Sequence, residues 1–177
     1  MKRRSLLQLG AISGVAGTIN LSSAASAESM QGNSVKQYAT LGRTGLKVAD
    51  ISFGSSRLRP GQEDLVSYAL DRGVNYFDTA ESYTGGDSET VIGNALAGKR
   101  DKVILATKMH GGATTSRQAM MATLENSLTK LKTDYVDVFF NHAVNDIERL
   151  KNPEWFEFCE LAKRHGKMRF TGMSRSE

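Results

Sequence analysis

The feature that most constrains this chain is a repeat of pattern rather than of residues. Apolar stretches open at Val74, Val103, Tyr135 and Met168, and each follows a stretch with helical periodicity. Their spacings are 29 (103 − 74), 32 (135 − 103) and 33 (168 − 135) residues. One strand with its crossover helix takes about 30 residues, and strict alternation of strand and helix calls for a parallel sheet with right-handed crossovers. The helical stretches run over 63–71, 88–96, 116–131 and 153–164. In the third, Met120, Leu124, Leu128 and Leu131 recur every three or four residues and make one apolar face. Ser88 and Ser116 are placed as N-caps and Pro153 in a first helical turn. Upstream, Asp50 to Phe53 reads as a first strand that stops at Gly54. Tyr38–Leu41 and Leu46–Val48, around Gly42 and Gly45, read as a small hairpin. Five strands in an α/β arrangement follow.

Parallel strands end at one mouth, where such proteins place their chemistry. Three of these strands run out at ionisable residues, Asp78, Lys108 and His142, and Tyr83 follows Asp78 by a short loop. Reduction of a carbonyl needs a hydride donor, a proton donor and polarisation of the oxygen that gains charge. A phenol beside an ammonium is a better acid than a phenol alone, because the cation stabilises the phenolate. In this reading Tyr83 gives the proton, Lys108 is the cation, Asp78 holds Lys108, and His142 bonds the substrate oxygen. Taken singly, Asp78, Lys108 and His142 are each better explained as a loop cap or a solvated charge. A lysine at a barrel mouth also suits a Schiff-base aldolase, and a non-catalytic remnant or binding subunit is the third reading. Asp137 falls on the strand face opposite His142, which suits an ion pair or cap. Asn141 fits either role, and His110 and His165 read as surface or supporting residues. Gly111-Gly112 is a loop rather than a phosphate cradle, and with no His or Cys cluster no metal site is expected.

Several segments carry a family resemblance. The stretches 69–83 (Ala-Leu-Asp-Arg-Gly-Val-Asn-Tyr-Phe-Asp-Thr-Ala-Glu-Ser-Tyr), 88–96 and 124–137, with the opening 41–48, resemble the aldo-keto reductases in order and spacing, over about Tyr38 to Ser174. The resemblance implies a (β/α)8 TIM-barrel type of fold with a hairpin closing its bottom. It assigns the catalytic roles given above to Asp78, Tyr83, Lys108 and His142. It further implies NADP (NADPH) as cofactor, with Ser174, Gly54 and Ser55 at the cofactor-binding positions, and a small-molecule aldehyde or ketone as substrate. At the position after Ser174 the family commonly has Asn, whereas this chain has Arg175. A full barrel takes roughly 250 residues, against 150 here (177 − 27) once a leader is removed. The expected domain at 38–177 is therefore the N-terminal part of a barrel, with its first five strands.

Residues 1–27 read as an export signal. Lys2-Arg3-Arg4 is a basic start, Leu6 to Leu21 is mildly apolar, and Ala25-Ser26-Ala27 is a small-residue cleavage site. Arg3-Arg4 before Ser5-Leu6-Leu7 resembles a twin-arginine signal, which implies recognition by the export machinery and a bacterial periplasmic destination. The apolar run is short and broken by Gly10, Gly14, Gly17 and Asn20, so no stable membrane anchor is expected. The leader's three charges are all basic; without them 20 Lys and Arg face 19 Asp and Glu, a net of +1. No basic patch is left to bind nucleic acid. Residues 28–37 read as a linker. The single Cys159 lies among Trp155, Phe158 and Ala162 at helical spacing, as a packing residue does.

Overall fold

The alternation is realised in a computed structural model that describes residues 34–175. A hairpin of β1 (Tyr38–Thr40) and β2 (Lys47–Ala49) comes first. It is followed by β3 (Phe53–Gly54), α1 (Glu63–Asp71), β4 (Tyr76–Asp78), α2 (Asp87–Ala95), β5 (Ile104–Met109), α3 (Arg117–Leu131) and β6 (Val136–Asn141). A short α4 (Ile147–Leu150), α5 (Pro153–Arg164) and β7 (Met168–Met173) complete the described elements. Strands β3 to β7 are all parallel and lie in chain order. Each βα unit therefore sets its strand beside the last, as in the first part of a (β/α)8 barrel.

Alternation along the strands separates two apolar layers. Phe77, Leu105 and Phe139 point to the helices, where they are buried with Val66, Ile92, Met120, Leu124, Trp155 and Phe158. Ile104, Ala106 and Val138 point the other way, beside Tyr76, Phe140 and Phe170. Leu46 and Val48 of the hairpin pack into this second layer, so the hairpin closes its lower end as the resemblance implied. Asn75 ties the hairpin down: its side chain accepts from Ala49 N and donates to Lys47 O, both at 2.8 Å. Gly172 makes room for Phe140, since a Cβ there would lie 2.5 Å from Phe140 Cε1.

Helix starts are where sequence and structure part. Ser116 does cap α3, its hydroxyl accepting from Ala119 N, and Asn152 caps α5 ahead of Pro153. Ser88 does not cap. Helix α2 begins a residue earlier, at Asp87 after the left-handed Gly86 (φ 96°), which puts Ser88 inside the first turn with its hydroxyl buried against the sheet. Strand β3 is only Phe53–Gly54, because Ile51 stands 61% exposed and Asp50 N is drawn to Gln37 O. The fold also begins before Tyr38. Val35 N donates to Arg72 O at 2.8 Å and its side chain packs on the core, so the end of the expected linker belongs to the fold. The expected leader at 1–27 lies outside the described residues. No described helix is long and apolar enough to cross a membrane.

Candidate active site

Asp78 ends β4, and Lys108 lies on the same sheet face of β5, one residue before its end. Lys108 Nζ donates to Asp78 Oδ1, to Thr79 O at 2.8 Å and to the Tyr83 hydroxyl at 3.4 Å. An ammonium has three N–H donors, and all three are directed within this cluster. Its side chain is only 8% exposed, so the charge is largely withdrawn from water and its neighbours matter more than they would on a surface. The nitrogen stands 4.9 Å from the centroid of the Tyr83 ring.

Tyr83 reaches this position because the chain beyond β4 continues to bond to β5. Thr79 N donates to Ala106 O at 2.9 Å, Glu81 N to Lys108 O at 3.0 Å, and Tyr83 N turns back to Ala80 O. After Tyr83 three residues in succession are left-handed, Thr84 (φ 49°), Gly85 (φ 70°) and Gly86 (φ 96°), and they swing the chain into α2. Thr84 is fastened by its hydroxyl, whose one O–H is shared between Leu58 O at 2.8 Å and Tyr83 O at 2.7 Å.

His142 follows β6 directly, its N–H donating to Met109 O. Its ring meets that of Tyr83 edge-on, with centroids 5.6 Å apart and planes at 78°. Burial above all, then the charges of His110, Lys108 and Arg149, push its imidazole down to about 4. The ring is thus neutral at pH 7 and carries one N–H. Nδ1 is buried and makes no hydrogen bond among the described residues. A buried N–H without an acceptor is costly, which assigns the proton to Nε2. The same surroundings act oppositely on Tyr76, two residues below Asp78 on that face: burial, with the charges of Asp78 and Asp137, raises its phenol to about 12.

The structure therefore brings Asp78, Tyr83, Lys108 and His142 together. Of the three positions assigned to cofactor, Gly54 is exposed and in register with Asp78. Ser55 is only 1% exposed. Its hydroxyl donates to Asp78 O at 2.7 Å and meets Ser88, which also meets Thr79. That network supports the site from beneath rather than lining it. Ser174, at the end of β7, accepts from Ala143 N at its Oγ, which leaves a hydroxyl its own O–H to give. Asp137 forms the expected structural pairs, 2.7 Å from both Arg100 and Arg169. His165 lines a surface hollow with Lys132 and Lys167, away from these groups.

One supporting residue escapes the sequence pattern, and Asn141, which fitted either role, joins it. Arg149 of α4 donates to Gly111 O, Ala143 O, His142 O and Asn141 Oδ1, at 2.7 to 3.0 Å, and so locks the loop that bears His142. Buried Asn141 joins this lock by accepting from Gly111 N at 3.1 Å. Most of these partners are backbone atoms, which no residue pattern marks.

The aldo/keto reductase family matches residues 51–177. The chain belongs to this family. Among similar proteins, a probable voltage-gated potassium channel subunit beta of Oryza sativa subsp. japonica is 36% identical over 121 residues, covering 60% of this chain and 37% of its own length. An oxidoreductase of Bacillus subtilis, YqkF, is 30% identical over 146 residues, covering 76% and 47%. The crystal structure of an aldo-keto reductase from Klebsiella pneumoniae in complex with NADPH superposes with a TM-score of 0.65 at 34% identity, over 81% of this chain and 51% of that one. This aldo/keto reductase chain thus spans about half, or less, of the length of the curated relatives it matches, 37% and 47% for the two named.

Proposed function

We propose that the chain is the catalytic part of an NADPH-dependent reductase of small aldehydes or ketones. The observation that carries this reading is the buried Lys108 ammonium, bonded at once to Asp78, Thr79 O and the Tyr83 hydroxyl, with neutral His142 facing the Tyr83 ring. A carbonyl oxygen placed between Tyr83 and His142 accepts the Nε2–H of His142, which polarises it without adding a charge. As negative charge develops on that oxygen, Tyr83 transfers its hydroxyl proton, and the Lys108 ammonium stabilises the phenolate left behind. Asp78 fixes the ammonium. Ser174 and Gly54, both at strand ends around the mouth, suit the nicotinamide end of the cofactor. NADPH, when bound, would supply the hydride.

The aldolase reading is weaker on the same observation. A Schiff base needs a lysine nitrogen with a free lone pair, and Lys108 has its donors directed to three oxygens. Replacing Tyr83 with Phe tests the reductase: carbonyl-dependent NADPH oxidation should fall at least about 10²-fold, the scale of losing a general acid, while NADPH binding followed by fluorescence stays put. Near-normal turnover would overturn the assignment. Our reading of the leader extends the proposal to export by the twin-arginine route into the periplasm. Substituting Arg3→Lys together with Arg4→Lys should hold the protein in the cytoplasmic fraction, and an unchanged distribution would count against it.

A further inference from the structure

Glu81 holds together parts of the site that are far apart in the chain. Its N–H donates to Lys108 O at 3.0 Å, and its carboxylate Oε1 accepts the backbone N–H of His110 at 2.8 Å. His110 lays its ring against that of His142, with centroids 4.5 Å apart and a tilt of 35°. Two residues after Glu81 comes Tyr83. We propose that Glu81 is a positioning residue: its carboxylate clasps the Tyr83 loop to the end of β5 and, through His110, sets the spacing between the Tyr83 hydroxyl and the His142 imidazole. The effect on rate rests on the reductase reading, while the clasp itself does not.

The bond from an amide to a carboxylate is charge-assisted and roughly twice as strong as a neutral one. Glu81 is 27% exposed, so the bond is partly shielded from water. The other contact to His110 is different in kind. Its Nδ1 lies 3.9 Å from the same oxygen, and the imidazole is 49% exposed; exposed pairs of this sort contribute little. The clasp therefore rests mainly on the backbone amide's bond to the acceptor oxygen, and a neutral amide of the same shape keeps that oxygen in place with roughly half the bond strength. The loop has reason to need it. Just beyond Tyr83 the three left-handed residues Thr84, Gly85 and Gly86 form a bend, and misplacement of a reacting group by about 1 Å can cost about 10²-fold in rate.

The experiment uses the full chain, labelled for NMR and kept dispersed by the C-terminal portion of a complete relative, with Glu81→Ala and Glu81→Gln compared to the native protein. Glu81→Ala should lose the ring-to-ring contacts of Tyr83 with His142 and speed hydrogen exchange at the His110 amide. Glu81→Gln, which keeps the acceptor, should retain both. In turnover, Glu81→Ala should lower kcat about tenfold or more with the KM for NADPH unmoved, and Glu81→Gln should stay within about threefold of native. Ring contacts that survive in Glu81→Ala, or that vanish equally in Glu81→Gln, would overturn the clasp. Should the alanine variant fail to fold, Glu81→Asp, too short by one methylene to reach the amide, takes its place with the same expected losses. A native chain without carbonyl reduction defeats the reductase reading alone, since the ring contacts and amide exchange still decide the clasp.

Discussion

His142 is held uncharged at neutral pH. Its imidazole titrates near 4 against an ordinary 6.5, so between those values the unfolded chain binds more protons than the folded one. The stabilisation from this group is complete above about pH 6.5 and is lost as pH falls towards 4. Thermal unfolding should show this, with a melting temperature that drops across that window in the native protein and drops less in His142→Gln. Equal slopes would show that another group governs the acid limb. His110 is a named cause of the depression. Removing it in His110→Ala takes away both a charge and some cover, so the NMR titration of His142 should move upwards, and a fixed midpoint would refute the coupling. At this scale the four clustered residues were legible because strand ends mark Asp78, Lys108 and His142, while Tyr83 stood out through its family segment. Ser88 was misplaced as a cap because a small hydroxyl can satisfy itself inward, and it bonds to Ser55 beneath the mouth.

Between elements, α2 and α3 approach each other closely at Gly93. A Cβ on Gly93 would stand 2.3 Å from Lys130 O and 2.7 Å from Leu131 C. Those are backbone atoms, which cannot swing aside as a side chain can. Alanine normally favours a helix by about 1 kcal/mol over glycine, yet here Gly93→Ala must push two helices apart, at about 1–3 kcal/mol. Chemical denaturation should therefore find the variant less stable, and a gain would mean that α3 yields. The displacement would reach the site as well, because Lys130 extends towards Gly86, where an added Cβ would lie 2.3 Å from its Nζ. Helix α1 and helix α5 run as their periodicity indicates, over Glu63–Asp71 and Pro153–Arg164. The start of α2 did not follow from the sequence because a run of left-handed residues, not a side-chain cap, begins it. The four-residue α4 is too short for periodicity to reveal.

Across the molecule, β3 and β7 each have a single neighbour in the described sheet. The layer of Ile104, Val138, Phe140 and Phe170 has the hairpin at one end and is not wrapped by further strands among the described residues. Unpaired edges and open apolar faces favour association. The chain alone should bind a hydrophobic dye and scatter light as oligomers, and adding the C-terminal portion of a complete relative should suppress both. A dye-free cooperative monomer would contradict this. The five-strand order was legible in the 30-residue rhythm because each crossover permits only one handedness. Hairpin closure rested instead on resemblance, and Leu46 bears it out.

Thr84 gives the mouth a further property. A β-branched residue in the left-handed region is strained by about 1–2 kcal/mol, and here its hydroxyl is moored to Leu58 O in the segment between β3 and α1. The loop of one βα unit is thus guyed to the loop of the unit before it, while Glu81 guys it to the unit after. Loops on such scaffolds are commonly treated as interchangeable parts, to be grafted one at a time for a new specificity. In this protein they are not separable: an exchange of residues 55–62 alone, all distant in sequence from Tyr83, would slacken the mooring of Tyr83 and change its placement together with the pocket.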